Sequence, residues 1–158
     1  MLKLQKKLQA GFTIIELLIV IAIIGILATL VLTNFQGAQA KGRDTVRKND
    51  INSVYQKLEE FYNENGSYPN SDLSAATFPG IDAGALTDSD GTAMVSTFAI
   101  SATPTVPTLT TTNEYVYVAY GDGTAGSCVE DAVGDGCLKY TLATFLERES
   151  QYQKASLN

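Results

Sequence analysis

One carboxylate lies inside the longest apolar run of the sequence. From Ile14 to Leu32, only Glu16, Gly25 and Thr29 interrupt the isoleucine, leucine, valine and alanine residues. An ionised carboxylate is costly in the apolar part of a membrane helix, and less so near the headgroups. Glu16 therefore either extends toward the interface or accepts a cation from another molecule. An α-amino group exposed by cleavage just upstream is a natural candidate for that cation.

Few other residues suit catalysis or metal binding. The chain has no histidine, which removes histidine triads, most zinc sites and any imidazole switch. No nucleophile–base pair or phosphate-binding glycine loop is recognisable, so we expect no enzyme activity. The segment Asp88-Ser89-Asp90-Gly91 begins like a calcium loop but lacks the later acids. We expect no cofactor, with calcium the one weak possibility.

Charge is unevenly distributed along the 158 residues, a length that fits one domain. The net charge is -6, which argues against general nucleic-acid binding. The first 11 residues hold Lys3, Lys6 and Lys7 and no acid, whereas residues 51–158 hold 14 acidic and 4 basic residues. Four cations lie between them, at Lys41, Arg43, Arg47 and Lys48.

The apolar run is long enough to cross a bilayer. As a helix, residues 14–32 would span roughly 28 Å. One interpretation is a cleaved secretory signal ending at Ala38-Gln39-Ala40, although the apolar run exceeds the usual length of a signal core. The other is a membrane anchor. The lysines before the run and the cations after it do not determine its orientation.

The residues around this run resemble a known motif. Lys-Lys-Leu-Gln-Ala-Gly followed by Phe-Thr-Ile-Ile-Glu-Leu-Leu-Ile-Val-Ile-Ala resembles the leader and methylation motif of type IV pilins and type II secretion pseudopilins. The resemblance is close over residues 6–32. It implies that a prepilin peptidase cleaves between Gly11 and Phe12 and N-methylates Phe12. It also implies that Glu16 pairs with the N-terminal amine of a neighbouring subunit during assembly.

The resemblance predicts a structural subunit of a type IV pilus that supports adhesion, motility or DNA uptake. Its expected partners are further copies in a helical filament, the prepilin peptidase, the assembly machinery of the inner membrane, and the bilayer before assembly. The expected locations are the bacterial cytoplasmic membrane and then an extracellular pilus. The alternatives are a pseudopilin of a periplasmic pseudopilus and, in another class, a secreted binding domain released after Ala40.

One residue departs from the family pattern. Many members have proline where this chain has Thr33, and that proline helps to bend or unwind the helix. Thr33 retains its N–H, so a proline kink is excluded there. Gly25 is a weak point, costing about 1 kcal/mol relative to alanine. The sequence leaves open whether the helix melts locally on assembly.

The predicted fold is α+β, a long N-terminal helix packed on a small antiparallel sheet in a pilin-like lollipop. The apolar stripe Ile51, Val54, Tyr55, Leu58, Phe61 and Tyr62 predicts an amphipathic helix that is stopped by Asn65-Gly66. Strands are predicted at 114–120 and 138–147, with an edge strand around 94–101 and a frayed tail over 149–158. The predicted parts are a leader (1–11), a transmembrane and polymerisation half of the helix (12–33), its amphipathic half (34–64), a connecting loop region (65–113), and the sheet with a disulfide loop and tail (114–158).

Two further groups carry predictions. Cys128 and Cys137 lack a histidine partner, so a disulfide is the simplest interpretation in an oxidising extracytoplasmic space. Pilins often hold a C-terminal loop in the same way, which the resemblance also implies. The cations of residues 41–48 are either solvated near lipid headgroups or meet acidic surfaces of neighbouring subunits.

Overall fold

The computed structural model describes residues 11–76, 78–88, 91–99, 103, 106–109, 114–123, 128–129 and 136–158, with the backbone alone at 33 and 34. The chain forms two compact units, Met1–Gln39 and Ala40–Asn158. Its elements are a helix α1 (Ile14–Asn65), a short 3₁₀ helix (Ala83–Leu86), and strands β1 (Val95–Ala99), β2 (Tyr115–Tyr120), β3 (Lys139–Phe145) and β4 (Gln151–Ala155).

Helix α1 ends where the sequence predicts. The N–H of Gly66 donates to the carbonyl of Tyr62 at 2.8 Å, and the side-chain amide of Asn65 donates to the carbonyl of Phe61 at 2.9 Å. Gly66 has a φ of 75°, in the left-handed region that glycine adopts without a Cβ clash. The last carbonyls of the helix are thus satisfied as the chain turns away.

The C-terminal part of α1 packs against the sheet. Ile51, Val54 and Leu58 are fully buried in one apolar cluster with residues of β2 and β3. Tyr55, Phe61 and Tyr62 are partly buried against the same cluster. The predicted apolar stripe is therefore the helical side of the core, and the α+β arrangement is confirmed.

The sheet has the order β1-β2-β3-β4 and is mixed rather than wholly antiparallel. β2–β3 and β3–β4 pair antiparallel, but β1 pairs parallel with β2, with Val95 opposite Val116. A parallel pair needs a crossover of about a dozen residues or more. Residues 100–114 are long enough for such a crossover. Their composition, rich in serine, threonine and proline, gives no indication that the strands they connect pair in parallel.

Strand β2 is buried on both faces. Tyr115, Tyr117 and Ala119 belong to the cluster under α1. The alternate residues Val116 and Val118 form a second apolar cluster on the opposite face, together with Leu109 and Ala143, and Val106 and Phe145 pack against it. The alternation of tyrosine and valine thus divides the sheet between two small cores.

The C-terminal tail is ordered as a strand, so the prediction of a frayed end is wrong. β4 pairs with β3, with Ala155 opposite Thr141 and Gln151 opposite Phe145. Lys154 explains why its polar composition is compatible with order. Its ammonium lies 4.2 Å from the ring centroid of Tyr55 and donates to Asn52 Oδ1 at 2.8 Å. An edge strand needs burial on one face only, which polar residues with long apolar stems can provide.

Candidate functional site

The start of α1 is closed by a reciprocal pair of side chains. The backbone N–H and the hydroxyl of Thr13 donate to Glu16 Oε2 at 2.9 and 2.6 Å, and the N–H of Glu16 donates to Thr13 Oγ1 at 3.3 Å. This is a capping box, in which threonine and a glutamate three residues later satisfy donors at the helix terminus. The Thr-Ile-Ile-Glu spacing was a sequence signal for it that our sequence analysis did not use.

Gly11 and Phe12 directly precede this cap. Phe12 is 89% exposed, so the peptide bond between the two residues lies in an accessible, non-helical segment. Both hydrogen bonds that Thr13 donates are accepted by Oε2 of Glu16. Within the described residues, Oε1 accepts no hydrogen bond. The geometry therefore leaves one carboxylate oxygen available to a further donor.

The large apolar side chains that follow are all exposed. Between Phe12 and Phe35 they have exposures from 48% to 89%. Helix α1 is long and apolar enough to cross a membrane, and none of its apolar window is buried. The exposed residues are Phe12, Ile14, Ile15, Leu17, Leu18, Ile19, Val20, Ile21, Ile23, Ile24, Ile26, Leu27, Leu30, Val31, Leu32 and Phe35.

Helix α1 includes Gly25 and Thr33, the two positions that bear on whether the helix unwinds locally during assembly. The backbone is helical at Gly25 and at Thr33. The hydroxyl of Thr29 donates to the carbonyl of Ile26 at 2.7 Å, which gives this polar group a partner within the helix. An apolar environment therefore leaves no unsatisfied hydroxyl at Thr29.

The cations after the apolar run are paired within the chain. Arg43 donates to both carboxylate oxygens of Glu147, at 2.6 Å from Nη2, and Lys48 donates to Glu149 at 2.7 Å. Arg47 is buried and contacts Asp44, Asp88 and Glu147. Arg43 and Arg47 therefore have acidic partners within their own chain, which the sequence did not predict. Contact of these cations with acidic surfaces of neighbouring subunits stays a prediction.

Arg47 is the centre of this network. Its Nη1 lies 3.1 Å from Glu147 Oε1, and its Nε lies 3.3 Å from Asp88 Oδ1 without hydrogen-bond geometry. Burial opposes the charge of Arg47, but hydrogen bonding to Glu147 and the charge of Asp88 outweigh it and raise the pKa. The arginine thus remains charged in the interior because acids from two distant segments surround it.

Glu147 is held ionised by the two arginines. Hydrogen bonds from Arg43, with a smaller contribution from Arg47, lower the pKa of Glu147 to about 2. Asp44 fixes the same turn by accepting from the N–H groups of Glu147 and Arg148 at 2.8 and 3.1 Å. The turn between β3 and β4 is therefore attached to α1 by charge-assisted hydrogen bonds.

The structure joins Cys128 to Cys137 by a disulfide bond. The Tyr68 N–H donates to the carbonyl of Cys137 at 2.7 Å, which links the bond to the segment after α1. Of the weak calcium motif, Asp88 contacts Arg47, whereas Ser89 and Asp90 lie outside the described residues. The described residues contain no group of three or more potential metal ligands.

Sequence reasoning missed the polar contacts of the tyrosines. Glu59 on α1 accepts from the hydroxyls of Tyr140 and Tyr68 at 2.8 and 3.1 Å, and Asp50 accepts from that of Tyr115 at 2.7 Å. Burial and the nearby Glu59 raise the pKa of Tyr68 to about 12. Two acids beside the apolar stripe were the available signal, because buried tyrosines need acceptors.

A family model described as the prokaryotic N-terminal methylation motif matches residues 6–32. Among similar proteins, the type II secretion system core protein G of Pseudomonas aeruginosa is 35% identical over 68 residues, which is 43% of this chain and 48% of that protein. The type IV major pilin protein PilA of Myxococcus xanthus is 41% identical over 58 residues, 37% of this chain and 26% of that protein.

The type IV wide pilus major component PilA4 of Thermus thermophilus is 45% identical over 58 residues, 37% of this chain and 44% of that protein. The chain thus spans about half or less of the length of these curated relatives. No solved structure matches the chain significantly. The chain carries the N-terminal methylation motif, and these relatives, similar to it over part of its length, are named as type IV pilins and a type II secretion core protein.

Proposed function

We propose that this chain is the structural subunit of a type IV pilus, anchored in the cytoplasmic membrane as a precursor and then assembled into a helical filament. The observation that carries the proposal is the helix surface from Phe12 to Phe35, apolar on every side and covered by nothing within the described residues. A helix with this surface is stable in lipid or among other apolar helices, and not in water. A filament core provides the second environment after the bilayer has provided the first.

Processing follows from the motif and the exposed segment before α1. A prepilin peptidase would cleave between Gly11 and Phe12 and methylate the new amine of Phe12. The amine of one subunit would then pair with Glu16 of its neighbour. The open Oε1 of Glu16 suits this role, since Thr13 occupies Oε2. A carboxylate that finds its cation only at assembly favours correct register over aggregation of the apolar helices.

The first test is the intact mass and N-terminal residue of the mature protein from its native host. We expect a chain that begins at Phe12 and carries the mass of one added methyl group. The variant Gly11→Val should retain residues 1–11, because a branched side chain at the cleavage site blocks processing. A wild-type chain that begins at Lys41 would make the apolar helix a discarded signal and would remove the filament mechanism.

Glu16 allows a second test, with Glu64 as a matched control. Both residues are exposed, and Glu64 lies in the last turn of the same helix. Glu16→Gln should reduce filament yield strongly while precursor levels in the membrane stay constant. Glu64→Gln should leave both unchanged. Equal filament yield in the two variants would contradict the pairing of Glu16 with a neighbouring amine.

A type II secretion pseudopilin is the second candidate function, favoured by the relatives named core protein G. Those matches extend over 68 and 69 residues, against 58 for the two pilins above. Deletion of the gene separates the two functions. Loss of long surface filaments would support the pilin, whereas loss of protein secretion in cells without such filaments would support the pseudopilin.

A further inference from the structure

A small cavity lies between the helix and the turn that joins β3 to β4. It has a volume of about 250 Å³ and is lined by Lys41, Asp44, Thr45, Lys48, Arg148 and Glu149. A water molecule occupies about 30 Å³ of liquid. The cavity is therefore large enough for a phosphate group.

The cations of this cavity are less completely paired than those of the neighbouring network. Within the described residues, the side chains of Lys41 and Arg148 make neither a hydrogen bond nor an ion pair. The one ion pair of Lys48 within the described residues is with Glu149, whose side chain is 63% exposed, and its ammonium also lies 5.6 Å from the ring centroid of Tyr152. An incoming anion would thus meet two unpaired cations and a third that is held weakly.

The acid at the cavity wall does not oppose an anion strongly. Asp44 accepts from the N–H groups of Glu147 and Arg148, and Arg47 Nη1 lies 3.4 Å from its Oδ1. Its charge is therefore balanced by the buried cation of Arg47 and by two backbone N–H donors. Residues 51–158 as a whole are acidic, with 14 acids and 4 bases, whereas the six residues that line the cavity include three bases and two acids.

The place of the cavity in the chain indicates which anion it would meet. Lys41 follows Phe35, the last large exposed apolar residue of the run, after six positions of the same helix. Residues just beyond a membrane segment lie at the depth of lipid headgroups, where each cation gains by contact with anionic lipid. A soluble anion would have no reason to be concentrated there.

We propose that Lys41, Lys48 and Arg148 bind the phosphodiester of an anionic phospholipid headgroup while the subunit waits in the membrane. This inference rests on the proposed membrane insertion of residues 12–35. The bound headgroup holds the folded unit at the bilayer surface. It is released on extraction, when the cations leave the interface. The site adjoins the Arg47 network and shares Asp44 with it, but Arg47 itself is already surrounded by acids and does not line the cavity.

The test uses the full chain in dodecyl maltoside, a detergent that contains no phosphate. The isotope-labelled protein is titrated with short-chain phosphatidylglycerol, and the backbone amide of Thr45 and the side chain of Lys48 are followed by NMR. We expect saturable shifts with this lipid and none with short-chain phosphatidylcholine, whose ammonium cancels the phosphate charge. Inorganic phosphate is the third probe.

Matched variants identify the residues. Lys41→Gln combined with Arg148→Gln should weaken the binding by roughly tenfold or more, because two headgroup contacts are lost. Lys139→Gln removes an exposed cation of β3 that does not line the cavity, and should bind like the wild type. Glu149→Gln should strengthen binding, since it frees Lys48. Unchanged amide spectra outside the cavity verify that each variant is folded.

Each other outcome overturns the assignment. Equal shifts with phosphatidylcholine would show that charge does not select the ligand. Saturation by inorganic phosphate without a response to phosphatidylglycerol would show that the cavity binds free phosphate and not a lipid headgroup. No response to any probe would remove the site altogether. Binding is measured on isolated subunits, so these results do not depend on filament formation, and a chain that assembles without binding the lipid would refute this inference alone.

Discussion

The two halves of α1 differ in what surrounds them. Residues 14–39, here called the apolar half, expose apolar side chains all around the helix. Residues 40–65, the packed half, bury one apolar stripe against the sheet and expose polar residues elsewhere. The same backbone geometry thus serves two environments. The difference shows that helix formation sets the shape, whereas the distribution of side chains decides which solvent each half requires.

Charge follows the same division. The apolar half has a single charged residue, Glu16, whose hydrogen-bond partner is the adjacent Thr13. In the packed half, Arg47 contacts acids as far away in sequence as Glu147. The charge of the apolar half is thus stabilised by a neighbour three residues away on the same helix. A charge in the folded domain is stabilised at once by the tertiary structure.

The largest effect is expected when Arg47 is replaced by methionine. The change leaves Asp44 and Asp88 buried without their cation, and loss of one member of a buried ion pair costs about 3–5 kcal/mol. Arg43→Met is the control, because that side chain is 46% exposed and should change stability much less. Urea unfolding of the full chain in detergent measures both. Equal effects would show that burial does not distinguish the two arginines.

Truncation of leucine tests the comparison of the two halves directly. Leu58→Ala should lower the free energy of unfolding by about 2–5 kcal/mol, because a fully buried side chain leaves a cavity. Leu18→Ala removes the same atoms from a side chain that is 56% exposed. It should leave the unfolding of the packed half unchanged in the same urea titration. Destabilisation by Leu18→Ala would show that the apolar half contributes to the folded core.

Removal of the disulfide should have a smaller effect. Replacing Cys128 and Cys137 together by serine frees a loop closed over a sequence separation of 9 and should cost about 2–3 kcal/mol of stability. Thermal unfolding with and without reductant gives the comparison in the wild-type chain. The double variant should be insensitive to reductant. A wild-type melting temperature that reductant does not change would contradict a stabilising role for the bond.

Acid should lower the stability of the folded domain over a defined pH range. The pKa of Glu147 is about 2 in the folded chain and 4.5 ordinarily, so its contribution is complete above pH 4.5 and is lost as the pH falls toward 2. Arg43→Met should raise this pKa, since the hydrogen bond from Arg43 is the largest cause of its depression. The pH dependence of unfolding should then become shallower. If stability depends on pH with the same slope in wild type and variant, Arg43 is not the cause of the lowered pKa of Glu147.

The elements predicted correctly from sequence depend on local patterns. The stripe from Ile51 to Tyr62, the stop at Gly66 and the Tyr-Val alternation of β2 each involve neighbours within a few residues. Periodicity reports such contacts directly. The methylation motif is equally local, since its residues are contiguous from 6 to 32. Local order in the sequence was enough for these features.

The errors concern partners that are distant along the chain. A frayed tail was predicted from the polar composition of residues 149–158, but Gln151–Ala155 form β4 because β3 offers a free edge. The ion pairs of Arg43 and Arg47 with Glu147 were not predicted, because Glu147 lies about a hundred positions away. A charge pattern gives the number and sign of charges but not which ones meet.

The sequence by itself determined that residues 14–32 form an apolar helix, that Glu16 is out of place within it, and that residues 6–32 resemble an N-terminal methylation motif. Those conclusions follow from composition and spacing within one segment. Only the tertiary structure decided that β1 runs parallel to β2, that Glu59 accepts from two tyrosines, and that Arg47 is neutralised inside the domain. These contacts join residues that lie far apart in the sequence. Their formation costs loop-closure entropy that many other contacts must offset, and no local sequence pattern connects the residues involved.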